Sequence, residues 1–161
     1  MDQAIEIRDA DASHRLWLDR IMREEWGGPI QVAHGAVYRP AELPCLIAEI
    51  GGKRVGYAAL RVIADVAWIG LIGTLHARSG VGSALVDRLA EDARSRGCHV
   101  LRAITTNDNR AAQGFYAALG FRLIEVRFGE IDTSRTLKPT IPLEDGHGTP
   151  ITDELEYELS L

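Results

Sequence analysis

Lysine is nearly missing from this chain: Lys53 and Lys138 are the only two, while arginine is plentiful. That bias reads as genomic composition rather than function. There is no excess of positive charge either. The formal net charge is -5 and the isoelectric point about 5.5, which leaves no electrostatic grip on nucleic acid. No apolar run approaches the length that spans a bilayer, so a membrane protein is not expected. The first residues, MDQAIEIRDAD, lack the basic start and apolar stretch of a secretory signal, and a cytoplasmic location is the default expectation. Two cysteines, Cys45 and Cys98, are far apart and form no CxxC or Cys/His cluster. They read as buried free thiols and not as a zinc site. Five histidines occur without HxH or HExxH spacing, so no metal centre is expected.

What is present suits one globular domain spanning residues 1–161. The 161 residues are 46% hydrophobic and 25% charged, ordinary values for a chain with a single core. Ile5 and Ile7 alternate with polar neighbours and predict a first strand. Leu18, Met22 and Trp26 recur at helical spacing up to Gly27-Gly28-Pro29. The stretch from Ile30 to Pro44 shows no clear pattern. CLIAEI, KRVGYAALRVI and VAWIGLI then predict a three-stranded antiparallel meander, with turns at Gly51-Gly52 and around Asp65. Val81, Leu85, Leu89 and Ala93 mark one face of a helix that Gly97 stops. HVLRAIT predicts a strand, RAAQGFYAALG a helix and FRLIEVRF a further strand. A long connection, Gly129 to Asp153, precedes ELEYELSL, whose strict alternation predicts a final strand. Glu154, Glu156 and Glu158 share one face of that strand. They could draw a cationic ligand, though a solvated face is the simpler expectation. An exposed edge on that last strand would make a homodimer plausible.

The segment Arg78-Ser79-Gly80-Val81-Gly82-Ser83-Ala84-Leu85 lies between a strand and an amphipathic helix. Glycines there allow close backbone approach, and the first helical turn presents N–H groups with the positive end of the helix dipole. Such a turn can cradle a pyrophosphate or can simply be a tight entry into a helix. It is not a Walker loop, because Gly82 is followed by Ser83-Ala84. It is not a dinucleotide fingerprint, because Leu85 stands where the third glycine belongs.

Downstream, Asn109, Ala112, Phe115, Tyr116, Leu119, Gly120 and Phe121 follow the pattern Asn-x-x-Ala-x-x-Phe-Tyr-x-x-Leu-Gly-Phe. With the glycine loop, this resembles the GCN5-related N-acetyltransferases (GNAT), and the order of elements matches that family over nearly the whole chain. The stretches Leu137–Pro142 and Gly148–Leu155 look like an uncharacterised bacterial branch of it. The resemblance implies an α/β fold. Its mixed, mostly antiparallel sheet would have helices on both faces and a V-shaped split between two central parallel strands, VAWIGLI and HVLRAIT.

It also implies acetyl-CoA as the cofactor, lying in that split. Backbone N–H groups from Ser79 through Ala84 (Ser79, Gly80, Val81, Gly82, Ser83 and Ala84) would hold the pyrophosphate. Asn109 would bond the pantetheine arm, and an N–H near Leu71 and Ile72 would face the thioester oxygen. Tyr116 corresponds to the general acid that protonates the departing thiolate; it could instead only pack under its helix. The family's usual Arg/Gln slot falls on Ala77, with Arg78 one residue late. Arg78 could reach a phosphate or be a solvated loop arginine.

A general base is not evident. The strand before the loop, Val66–Ile72, carries no carboxylate, which leaves Glu49, His76, Glu24 and Glu25 as alternatives. Trp17, Trp26, Trp68 and Tyr38 could wall an acceptor pocket or fill the core. The expected activity is direct acetyl transfer to a primary amine of a small molecule. Two alternatives are a protein lysine or N-terminal acetyltransferase and a non-catalytic acyl-CoA-binding module. An open groove beside the first helix would favour a protein acceptor; a pocket closed under Gly129–Asp153 would favour a small one.

Overall fold

The computed structural model describes residues 3–75 and 79–161. Strand β1 (Ile5–Asp9) leads through a 3-10 turn at Ala12–His14 into helix α1 (Arg15–Trp26). Asp11 starts that turn by accepting the Ser13 N–H at 2.8 Å, and His14 Nδ1 accepts the Asp11 N–H at 3.0 Å. The two contacts satisfy donors that would otherwise be orphaned at the helix entry. Helix α1 stops at Gly27, in the left-handed conformation at φ 70°. Its terminal carbonyl, on Trp26, accepts a hydrogen bond from the buried amine of Lys138.

The stretch without a clear sequence pattern holds a small hairpin, β2 (Gln31–Ala33) and β3 (Ala36–Tyr38), apart from the main sheet. Its two turn residues, His34 and Gly35, both have positive φ, 50° and 69°, as a tight two-residue hairpin turn requires. The expected meander follows as β4 (Cys45–Ile50), β5 (Lys53–Ile63) and β6 (Val66–Thr74). After it come α2 (Val81–Ser95), β7 (Val100–Thr106), α3 (Arg110–Ala118) and β8 (Arg122–Arg127). The connection expected from Gly129 contains a helix, α4 (Glu130–Leu137), before β9 (Glu154–Ser160) closes the chain. Among the described residues, no helix is long and apolar enough to cross a membrane.

Among the described residues, seven strands form one sheet in the order β1-β4-β5-β6-β7-β9-β8. Only β6 and β7 pair in parallel; every other neighbour is antiparallel. This is the expected α/β architecture. One expectation is corrected: β9 is not an edge. It is hydrogen-bonded to β7 on one side and β8 on the other, so it offers no free ladder to a second copy, and β1 and β8 are the edges.

Alternating strand residues feed two apolar layers. Leu46, Ala48, Ala58, Leu101 and Tyr157 meet α2 and α3, while Cys45, Ile47, Tyr57, Ala59 and Leu71 meet Leu18, Ile21 and Met22 of α1. Helices therefore cover both faces. Leu85 and Leu89 of α2 are fully buried, each contributing roughly 2 kcal/mol by removing its surface from water. Helix α2 comes close enough to β5 that a Cβ on Gly56 would stand 2.6 Å from Val81. Only glycine fits there, and its absence of a side chain sets how tightly the helix carrying the glycine loop lies on the sheet.

Candidate active site

The parallel strands β6 and β7 share just two paired positions, Ala67 with Leu101 and Trp68 with Arg102. Beyond Trp68 they part. The cause sits one turn of the ladder further on. Between Leu60–Ile69 and Ala59–Leu71 the β5–β6 register slips by one residue, leaving Gly70 as a bulge. A bulge bends its strand and raises the local twist, which carries β6 away from β7. A Cβ at Gly70 would stand 2.8 Å from Leu43, so the site admits no larger residue without movement. The bulge carbonyl is taken up by the Tyr38 hydroxyl, which donates to it at 2.7 Å. A cavity of about 270 Å³ occupies the resulting split.

Four of the residues expected to touch cofactor line this cavity: Leu71, Ile72, Asn109 and Tyr116. Having lost β7 as a partner, β6 turns alternate backbone N–H groups from this stretch into the opening. Asn109 caps α3, its Oδ1 accepting the Ala112 N–H at 3.1 Å, so its side-chain NH2 is the group left to reach a ligand. Tyr116 is buried among the rings of Phe115, Phe121 and Tyr157. Its hydroxyl makes no hydrogen bond to the described residues, and burial, reinforced by nearby Tyr38, holds the phenol well above its ordinary pKa. It therefore keeps its proton at neutral pH.

The glycine loop enters α2 through Gly80, an N-cap in the left-handed conformation at φ 79° with no side chain to seal the helix end. The N–H groups of Val81, Gly82 and Ser83 have no carbonyl of the same helix behind them. Val81 is fully buried, backbone included, so the part of the turn open to a ligand is Gly82 and Ser83. Ala84 differs from expectation: its N–H donates to the Gly80 carbonyl at 3.0 Å. It is the first helical hydrogen bond, so the outward-facing cradle closes at Ser83. Arg78 lies outside the described residues, as do His76 and Ala77. The two sequence motifs meet in space. A Cβ on Gly82 would stand 3.0 Å from the ring of Phe115, which locks the start of α2 against α3.

On the α1 side of the sheet, Trp26, Tyr38 and Trp68 line the cavity, and Trp17 does not. Trp17 packs edge-on against Tyr57 with Arg54 over its ring. Helix α4 and its following loop complete the wall with Ile131, Ser134 and Ile141. None of the carboxylates proposed as a base borders the cavity. Glu49 is 3.2 Å from Arg8 on the neighbouring strand, and Glu24 and Glu25 are exposed on α1.

The carboxylate that does border it is Glu154. The expectation of a solvated glutamate face on β9 is overturned: Glu154 and Glu156 are 1% and 3% exposed. The β2–β3 hairpin reaches that face through His34, and positive groups from remote segments make burial tolerable. Arg127 donates to Glu154 Oε1 through Nε at 3.0 Å and Nη2 at 2.6 Å, and the His34 backbone N–H adds a contact at 3.3 Å. His34 Nε2 lies 2.6 Å from Glu156 Oε1. Glu158, half-buried, pairs with Arg102 at 2.9 Å.

Comparison with known proteins gives a consistent picture. The model of the Acetyltransferase (GNAT) family matches residues 5–121. Uncharacterized protein YxbD of Bacillus subtilis (strain 168) is 31% identical over 134 residues, covering 83% of this chain and 84% of its own. Among solved structures, the IAA acetyltransferase from Bacillus cereus ATCC 14579 superposes with a TM-score of 0.71 at 18% identity, over 98% of this chain and all of the other. A GNAT family acetyltransferase from Elizabethkingia anophelis, with acetyl-CoA bound, gives 0.67 at 16% identity, over 98% of both chains.

Proposed function

The chain belongs to the acetyltransferase (GNAT) family, and on that footing we propose that it is an acetyl-CoA-dependent N-acetyltransferase acting on the primary amine of a small molecule. One observation carries the reading. The cavity runs through the parted β6 and β7, with Asn109 and Tyr116 at one end and the aromatic wall under α4 and the β2–β3 hairpin at the other. Cofactor and acceptor can thus enter from opposite faces of the sheet and meet in the split, as direct transfer in a ternary complex needs. The Elizabethkingia anophelis relative holds acetyl-CoA, and the residues here fit the same ligand. The open N-terminal turn of α2 suits a pyrophosphate, and the narrow split suits an extended pantetheine arm.

Bound acetyl-CoA supplies the acetyl group as a reactive thioester. Gly80, Val81, Gly82 and Ser83 would hold the pyrophosphate through backbone N–H groups, next to Ser79, and the helix dipole of α2 would add to their pull. The Asn109 amide holds the pantetheine arm. Backbone N–H groups near Leu71 and Ile72 face the thioester oxygen and stabilise the negative charge that grows there as the amine attacks. Tyr116 donates its phenolic proton to the sulfur as the carbon–sulfur bond breaks, and recovers one from the nitrogen that has gained the acetyl group.

A small acceptor is favoured over a protein one because Ile131, Ser134 and Ile141 roof the pocket beneath the connection between β8 and β9. Calorimetric titration with acetyl-CoA, with dephospho- and desulfo-CoA as controls, tests the cofactor assignment. Saturable micromolar binding weakened by loss of the 3′-phosphate is the expected result. Turnover is then read as free thiol released from acetyl-CoA in the presence of amines. Binding without turnover on any amine would favour the acyl-CoA-binding module, and no binding at millimolar ligand would overturn the reading.

A further inference from the structure

The acceptor end of the cavity carries two opposite charges that its own walls leave incompletely matched. Glu154 is buried, and all three of its hydrogen bonds fall on Oε1; Oε2 accepts none from the described residues, although the residue borders the cavity. The surroundings do not balance the charge. Two buried carboxylates, Glu154 and Glu156, share one guanidinium, Arg127, which also pairs with Glu125 at 2.8 Å, and one imidazole, His34. One oxygen of Glu156 is buried with no hydrogen bond of good geometry among the described residues. A cation arriving in the cavity would offset this excess of negative charge.

Across the cavity stands the reverse situation. Arg61 of β5 borders it, stacked over the Tyr38 ring at 4.3 Å, and has no acidic partner among the described residues. Gln31, opposite Tyr38 in the hairpin, also borders it, with a buried amide nitrogen that has no hydrogen-bond partner among the described residues. Both groups are donors, and a guanidinium with a neighbouring amide is suited to a carboxylate. In the sheet β6 and β7 separate β5, which carries Arg61, from β9, which carries Glu154, so the two charges stand on opposite sides of the split.

We propose that the acceptor is a small zwitterion, its amine end held as it binds by Glu154 Oε2 and its carboxylate by Arg61 and Gln31. The inference rests on the N-acetyltransferase reading and narrows its substrate to amino-acid-like molecules. The aromatic wall of Trp26 and Trp68 takes the remaining apolar body. Polyamines are disfavoured by the same arrangement, because a second ammonium would face Arg61.

Trp26 and Trp68 make tryptophan fluorescence the direct probe. CoA-loaded and ligand-free protein are each titrated with matched sets: a common amino acid, its decarboxylated amine and its deaminated acid. For at least one set the zwitterion should bind about tenfold more tightly than either twin, the scale of one charge-assisted hydrogen-bonded contact. Arg61→Gln should erase the advantage over the amine, and Glu154→Gln the advantage over the acid. Retained CoA affinity certifies the fold of each variant, and Arg61→Gln, which breaks no ion pair among the described residues, stands alone if Glu154→Gln does not fold. A set-wide absence of preference, a polyamine that binds better than every zwitterion, or a preference that survives Arg61→Gln would overturn the proposal. Because binding is read with and without CoA, failure here is distinct from failure of the cofactor assignment.

Discussion

The hydroxyl of Tyr38 hydrogen-bonds to the carbonyl of Gly70 at 2.7 Å, tying the β2–β3 hairpin to the bulge that opens the sheet. Tyr38→Phe removes this donor and leaves a partly buried carbonyl unpaired. The expected cost is about 1 to 2 kcal/mol, measurable as a lower denaturant midpoint with an unchanged slope, together with weaker acceptor binding.

The same tyrosine sets an alkaline limit. Burial pushes its hydroxyl up to about 12, with Glu154 adding to the shift and Arg61 opposing it. Tyr57 and Tyr116 are raised as well, each chiefly by burial. A folded pKa above the unfolded one of about 10 means that the stabilisation is complete below pH about 10 and is lost as pH climbs through the folded value. The melting temperature should therefore fall between pH about 10 and 12. Lys138, whose amine is lowered by burial, contributes in the opposite sense, with its gain complete once pH passes the ordinary lysine value of about 10.4. Melting curves across this range check the sign, and tyrosinate absorbance should lag behind that of the unfolded chain.

Tyr116→Phe should lower acetyl transfer by about 100-fold or more, the usual scale of a general acid, and leave CoA affinity nearly unchanged. Unchanged turnover on a verified acceptor would remove Tyr116 from the chemistry and leave it as a packed core ring.

Gly82→Ala introduces a Cβ 3.0 Å from the Phe115 ring. The Phe115 ring or the start of α2 must then give by a few tenths of an ångström, at a cost of about 1 kcal/mol. Because the cradle is on that turn, calorimetry should show CoA binding falling more than the stability loss alone implies.

Arg127→Leu would strand Glu154 as a buried charge, with an expected loss of about 3 kcal/mol. The double variant with Glu154→Leu should recover much of it. A strictly additive double variant would show that the pair contributes nothing as a pair.

The parts of this molecule with long, regular patterns were legible from residues alone. Val81, Leu85, Leu89 and Ala93 marked α2, and the Gly51-Gly52 turn marked the meander. The chemical motif placed Tyr116 and Asn109, both of which border the cavity. What escaped was short or non-local. Three-residue strands such as β2 and β3 are too brief for alternation to register, and α4 buries only Ile131 and Ser134. The glutamates of β9 misled for a different reason. Leu155 and Tyr157 show one apolar face, and the rule that charges face water holds unless another segment supplies a counter-charge. Here Arg127 and His34 supply it, and only folding brings them there.

Lys138 spends its amine on the end of α1, leaving Lys53, exposed beside the β4–β5 turn, as the other lysine. A protein that handles activated acetyl groups risks modifying itself. Among its lysines this one presents a single accessible nucleophile, on a hairpin outside the cavity. Amine-reactive dyes and stray acetyl-CoA alike should mark the lysines at that one position, giving a natural handle for attaching a probe without touching the pocket.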